Sequence, residues 1–267
     1  MCDTCGCGEG TTIIQTPEEV REHDRLHAAG VEHHHEHSHR ESTHASHHHH
    51  STTTIDVETD VLQANNLMAE RNRGYFQARK MFVLNLVSSP GSGKTTLLEK
   101  TVTALKEKVA VAVIEGDQQS MRDADRIEST HVPVVQVNTG KGCHLDARMV
   151  NDALTKLQLD DESLLFIENV GNLVCPSLFD LGENHKVVVI SVTEGEDKPA
   201  KYPTMFAASS VCIINKIDLL PYVDFDVEQC KDYARSVNPN ISFLELSAKT
   251  GEGMDAWLEW VYPEKTD

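Results

Sequence analysis

The sequence predicts an α/β fold, a mostly parallel sheet with helices on both faces, preceded by a flexible tail. Three observations lead there. Beyond about residue 80, short runs of β-branched and aliphatic residues alternate with helical stretches. Those runs are apolar throughout, as strands covered on both faces must be. Residues before about 55 hold few of the large apolar side chains that a core requires.

Residues 1–54 are rich in Gly, Thr, Ser and Glu and hold twelve of the fifteen histidines, all between His23 and His50. With little to bury, the entropy of ordering this backbone goes uncompensated, so a flexible tail is expected. A short helix from Glu18 to about His27 is the one regular element it could hold. From Asp56 the pattern changes. Val57, Val61, Leu62, Met68, Tyr75 and Phe76 recur at helical spacing and give a helix over 55–80 that leads into the main domain, 81–267. There the apolar runs 82–87, 109–115, 132–137, 164–168, 186–192, 210–215 and 242–246 read as strands. Helices are expected over 94–108, 145–157, 227–237 and 254–261. In such sheets ligands bind beyond the carboxyl ends of the strands, so motifs there matter most.

A net charge of -18 leaves no basic stripe, which argues against a nucleic-acid binder. No run reaches the ~18 apolar residues of a membrane span, and the N-terminus lacks the basic start and apolar stretch of a signal peptide. A cytoplasmic protein is expected, in which the seven cysteines stay reduced and suggest metal ligation over disulfides.

Ser88-Ser89-Pro90-Gly91-Ser92-Gly93-Lys94-Thr95-Thr96 directly follows the first strand of the domain and opens a helix. Gly91 and Gly93 let backbone N–H groups converge on phosphate oxygens at a helix N-terminus. Lys94 can reach the β and γ phosphates, and the Thr95 hydroxyl can ligate Mg²⁺. The generic motif begins with Gly, and Ser88 holds that place. Asn215-Lys216-Ile217-Asp218 follows the sixth strand. The Asp218 carboxylate can accept from both N–H donors on the guanine edge, which adenine lacks. Asn215 would hold the neighbouring loops, the Lys216 stem would cover the ring, and Ser247-Ala248-Lys249 would offer the Ala248 N–H to guanine O6. GTP is therefore the expected nucleotide. Glu168 and Asp117, each ending a strand, are candidates for the Mg²⁺ shell, and the Gly171 N–H for the γ-phosphate. Either acid could instead be a helix cap or a surface charge. Asn172 stands where a water-orienting glutamine is usual, so slow hydrolysis is expected.

Three sets of metal ligands accompany this site. Cys2, Cys5 and Cys7 form C-x-x-C-G-C, in which Gly6 allows a tight turn around one ion. Nitrogen and sulfur in a square plane suit Ni²⁺, whereas Zn²⁺ prefers a tetrahedron. His33, His34, His35, His37, His39, His44, His47, His48, His49 and His50 read as weak storage of several borderline ions, against the alternatives of a tag or a spacer. Cys143-His144 and Cys175 sit on loops after the third and fourth strands. Three ligands leave an open position, or a site completed by another subunit. Cys212 within a strand and Cys230 on a helix fit a core role instead.

Taken together, Cys2-x-x-Cys5-Gly6-Cys7, the His tract, the 88–96 loop, Cys143-His144, 168–175 and 215–218 resemble the HypB family of hydrogenase nickel-incorporation GTPases across essentially the whole chain. The related urease accessory GTPases are a poorer match, because Ser177 follows Cys175-Pro176 where their motif is Cys-Pro-His. The resemblance implies GTP-dependent homodimerisation and nickel transfer to a partner chaperone or a hydrogenase large-subunit precursor. At the inner cluster both Ni²⁺ and Zn²⁺ stay open. The competing reading is a nickel-sequestering protein that keeps the nucleotide fold without using its hydrolysis.

Overall fold

A computed structural model describes residues 12–28, 54–117, 126–157 and 159–263. Their elements in chain order are β1 (Ile13–Gln15), α1 (Pro17–Ala28), α2 (Thr54–Ala78), β2 (Phe82–Ser88), α3 (Lys94–Leu105), β3 (Val111–Asp117) and β4 (Val134–Asn138). Then come α4 (Ala147–Leu154), β5 (Leu164–Glu168), β6 (His185–Ser191), α5 (Lys198–Lys201), α6 (Pro203–Ala208), β7 (Val211–Asn215), α7 (Val227–Val237), β8 (Ser242–Leu246) and α8 (Met254–Val261). Short 3₁₀ turns lie at Cys175–Ser177 and Ile217–Tyr222.

The strands form one sheet in the order β1-β4-β3-β5-β2-β6-β7-β8. All neighbours are parallel except β1, which pairs antiparallel with β4. Alternate residues of each strand feed opposite faces. Leu84, Leu86, Val113, Phe166, Val187 and Ile213 pack on one face against Leu97 and Leu98 of α3 and Trp257 of α8. The Trp257 indole N–H donates to Thr101 Oγ1 at 2.7 Å and joins the two helices through a buried bond. The opposite face has two cores. Val83, Ile114 and Ile167 lie under Phe76 of α2 and Val150 of α4. Val188, Ile190, Cys212 and Ile214 lie under Met205, Phe206, Cys230 and Ala234. Each such side chain taken from water contributes about 1.5–3 kcal/mol.

The fold is the expected parallel α/β sheet, with strand limits within two residues of the sequence reading. Within 1–54 the described part contains α1, the short helix expected from Glu18 to about His27, and adds an eighth strand, β1, that the sequence reading did not foresee. Ile13, Ile14 and Gln15 pair with Asn138, Val137 and Gln136. α1 is tied down by Arg21 with Glu128 and by Lys156 with Glu19 at 2.9 Å. β1 escapes notice because three residues are too few to display a period.

α2 is joined to the domain by polar groups as well as by Phe76. Asn65 donates to Asp180 O at 2.8 Å and accepts from Ala147 N at 2.9 Å. Asn72, fully buried, donates to Ala147 O at 2.8 Å and Leu181 O at 3.1 Å. Gly182 has φ +93, and a Cβ there would stand 2.7 Å from Ala69 O, so only glycine lets this loop lie against α2. The carboxyl ends of β2, β3, β5 and β7 gather on one rim. The chain crosses to opposite sides of β2 after β2 and after β5, which opens a crevice at that point.

Candidate functional site

The crevice is a cavity of about 620 Å³ lined by 88–96, Glu115, Gly116, Asp117, Arg126, Glu168, Val170, Gly171 and Lys216. Its floor is the loop between β2 and α3. Gly93 at the head of α3 takes φ +95, and a Cβ on it would lie 2.5 Å from Asn215 Nδ2. The Lys94 ammonium, almost fully buried, donates to Glu168 Oε1 at 3.0 Å and Asn169 O at 2.7 Å. The Thr95 hydroxyl donates to the same Glu168 oxygen at 2.6 Å. Glu168 Oε2 is buried with no hydrogen-bond partner. An acceptor left in that condition fits a magnesium-bound water, and Thr95 Oγ1 and Glu168 are oxygen donors of the kind Mg²⁺ takes. Asp117 lines the same cavity, half-buried at the end of β3. At Gly171 a Cβ would come within 3.3 Å of Pro90, so the segment after β5 lies directly on the phosphate loop.

The loops after β7 and β8 close one side. Asn215 Nδ2 donates to Ser92 O at 2.9 Å, and Lys216 Nζ to Gly91 O at 2.7 Å. One oxygen of Asp218 is buried without a partner, which fits a reader of donors on a base edge. Ser247, buried, accepts from Thr250 N at 3.1 Å and closes its turn, and Lys249 is exposed beside it. The Ala248 N–H already has a partner within the protein. It donates to Asn215 Oδ1 at 3.1 Å, which also accepts from Lys216 N at 2.7 Å. That N–H reaches a base oxygen only if Asn215 releases it.

Two loops on the same rim converge on a sulfur–nitrogen cluster. Cys143 Sγ lies 3.0 Å from Cys175 Sγ and 3.7 Å from His144 Nδ1, and all three ligand atoms fall within 4.8 Å of one another. His144 and Cys175 are buried and Cys143 is half-buried. The His144 ring rests on Phe179, with centroids 4.0 Å apart. Burial holds its pKa below the usual imidazole value, partly offset by Asp146, so the ring stays neutral and ready to ligate. Two soft sulfurs and an imidazole fit Ni²⁺ or Zn²⁺ better than a hard cation. Cys212 and Cys230 are fully buried elsewhere, with burial raising both thiols, the latter to about 12. They stay protonated core residues. Cys2, Cys5, Cys7 and the tract His33, His34, His35, His37, His39, His44, His47, His48, His49 and His50 lie outside the described residues.

Several supporting residues escaped the sequence reading. The Asn169 side chain accepts from Leu145 N at 3.0 Å, next to His144, while its own carbonyl holds Lys94. Asn172 donates to Cys143 O at 3.2 Å and accepts from Val174 N at 2.8 Å, so its amide ties together the loops that carry Cys143 and Cys175. Arg126 donates to Thr96 Oγ1 at 3.0 Å and pairs with Glu99 at 2.6 Å on the cavity wall. Asn65 and Asn72 carried one legible signal: two poor helix formers seven residues apart on one face of a helix.

The family model described as CobW/HypB/UreG, nucleotide-binding domain, matches residues 82–245. The chain is 53% identical, over 298 aligned positions covering 99% of each protein, to the hydrogenase maturation factor HypB of Escherichia coli K12. It is similar to the crystal structure of HypB from Helicobacter pylori in complex with nickel, with TM-score 0.70 and 38% identity over 74% of this chain and 93% of that one. For HypB of Archaeoglobus fulgidus the TM-score is 0.69 and the identity 39%, over 74% and 97% of the two chains.

Proposed function

This chain belongs to the CobW/HypB/UreG family and, within it, to the HypB hydrogenase maturation factors, and from that membership we propose that it is a GTP-hydrolysing nickel metallochaperone serving the hydrogenase large-subunit precursor, directly or through a partner chaperone. One observation carries the reading. The Cys143, His144 and Cys175 ligand atoms lie within 4.8 Å of one another on loops anchored to the residues that surround Lys94.

On this reading GTP is cleaved to GDP and phosphate, and Ni²⁺ is cargo. Lys94 exchanges Asn169 O and Glu168 for phosphate oxygens when GTP binds. Thr95 and Glu168 would hold Mg²⁺, with Asp117 nearby, and the ion supplies charge neutralisation at the phosphates. The Gly171 N–H faces the γ-phosphate. Asp218 reads guanine with Asn215, Lys216, Ser247, Ala248 and Lys249 around it. Because Asn172 is engaged by Cys143 O and Val174 N, it does not orient a water, which favours slow turnover. Release of the γ-phosphate returns Lys94 to Asn169, whose side chain holds the amide beside His144. The ligands then shift relative to Cys175, and a displacement of an ångström is large beside the ~0.2 Å tolerance of a metal–ligand bond. A GTP-dependent homodimer would complete the open coordination position. The same ligands with a fourth donor would hold Zn²⁺. Cys2, Cys5 and Cys7 bind nickel tightly, and the His tract stores it. Among the described residues no helix is long and apolar enough to cross a membrane, which accords with a cytoplasmic site of action.

The test is nickel titration of the full chain carrying Cys2→Ser, Cys5→Ser and Cys7→Ser, in GDP and in a non-hydrolysable GTP analogue, with dimer fraction followed by sedimentation. Affinities that differ between the two states are expected, and by linkage nickel must shift nucleotide affinity by the same factor. Identical affinities would remove the release mechanism. GTP turnover that survives Lys94→Ala would remove the enzyme reading.

A further inference from the structure

Lys186 lies on the second position of β6, in register with Asn85 on β2, and is 7% exposed. A buried ammonium is expensive to desolvate, and an apolar side chain of similar length would fill the space more cheaply. The cost of the ammonium is offset here by acceptors set around it. Lys186 Nζ donates to Pro176 O at 2.9 Å and to Phe179 O at 3.0 Å, and Glu183 Oε1 stands 3.8 Å away. Two N–H bonds of the ammonium are thereby directed at main-chain carbonyls, and the Glu183 carboxylate stands at ion-pair distance. Glu183 is held in turn by Asn85 Nδ2 at 3.0 Å and Leu181 N at 2.7 Å.

The two carbonyls belong to the turn that builds the metal cluster. Pro176 directly follows Cys175, whose sulfur touches Cys143. Phe179 is the residue whose ring supports the His144 imidazole. One amine thus grips both ends of the turn between a ligand and the support of a second ligand. Phe179 and Cys175 are buried while Val174 and Leu178 beside them are about half exposed, so the Lys186 bonds reinforce a turn that apolar burial anchors on one side only.

We propose that Lys186, backed by Glu183, is a positioning residue of the Cys143/His144/Cys175 centre: its ammonium fixes where Cys175 and Phe179 stand and so sets the geometry of the bound metal. The inference rests on the metal reading of that cluster. Groups that orient ligands from behind typically alter metal affinity by about 10- to 100-fold.

The experiment uses the full chain with Cys2, Cys5 and Cys7 changed to Ser. With Cys212 and Cys230 held protonated in the core, thiolate charge-transfer absorption of added Ni²⁺ then reports Cys143 and Cys175. Lys186→Met fills the volume without donors. It is expected to keep GTP affinity, lose roughly 10- to 100-fold in nickel affinity and shift the band. Lys186→Gln, one methylene shorter and neutral, keeps a donor but is too short to span both carbonyls; it is expected to shift the band and weaken affinity to a smaller degree. A stable variant of either kind with the parent's band and affinity overturns the proposal. Absence of any band in the parent protein would instead overturn the metal reading itself.

Discussion

Asp218 carries a carboxylate oxygen that is buried and unpartnered, a condition costing about 1–3 kcal/mol until a donor arrives. Guanine offers such donors and adenine does not. GTP should therefore outcompete ATP, and Asp218→Asn should move preference towards xanthine nucleotides, whose 2-oxo group needs a donor. Isothermal titration with the three nucleotides checks this, and equal binding of ATP and GTP by the parent chain would sink it. At this scale legibility divides sharply. Lys94, Thr95, Glu168, Asp218, Cys143, His144 and Cys175 stood out because each sits in a short motif behind a strand, and the structure brings the first three into one cavity and the last three into one cluster. Asn169, Asn172 and Lys186 did not stand out. Their work is to bond main-chain groups far along the chain, and no local spacing encodes such a partner. The Ala248 N–H shows the same limit from the other side: its motif was legible, and its hydrogen bond to Asn215 was not.

Among the elements, α2 is the one whose role was least visible. Its extent was readable from apolar spacing, yet the asparagines on its buried face decide where it docks. Asn65 and Asn72 together hold Ala147, Asp180 and Leu181, the points where the loops carrying Cys143, His144 and Cys175 rejoin the scaffold. Asn72→Ala strands Ala147 O and Leu181 O and leaves a small void. A loss of about 3 kcal/mol is expected, read as a lower urea midpoint, with nickel affinity at the inner cluster falling as well. A midpoint within error of the parent would show that α2 is merely appended. The long parallel strands were legible because burial on both faces forces unbroken apolar runs, as in β5 and β7. α5 and α6 were not, since helices of four and six residues built around prolines carry no measurable period.

For the molecule as a whole, buried imidazoles tie stability to acidity. His144 and His185 both have pKa values lowered by burial. A group kept neutral by folding favours the native state fully above its unfolded pKa of about 6.5 and loses that contribution as pH falls from there towards the folded value. For His144 the slope is at most about 1.4 kcal/mol per pH unit. The metal-free protein should unfold at lower urea at pH 5.5 than at 7, and His144→Gln should flatten part of that dependence. Glu183, with its pKa raised by burial, acts in the opposite sense, which is why the comparison of variant with parent is the informative one. If His144→Gln leaves the profile unaltered, the imidazole is not buried as described. The direction of β1 has a consequence of its own. Because it runs antiparallel to β4 with Ile13 opposite Asn138, the polypeptide reaches the sheet from the rim where Cys143 and His144 lie, five and six residues beyond Asn138. Cys7 precedes Ile13 by six residues, a leash of no more than about 20 Å fully drawn. Were Cys2, Cys5 and Cys7 to hold nickel as proposed, a tether this short would present the ion to the inner cluster at about millimolar local concentration rather than at the dilution of the surrounding solution.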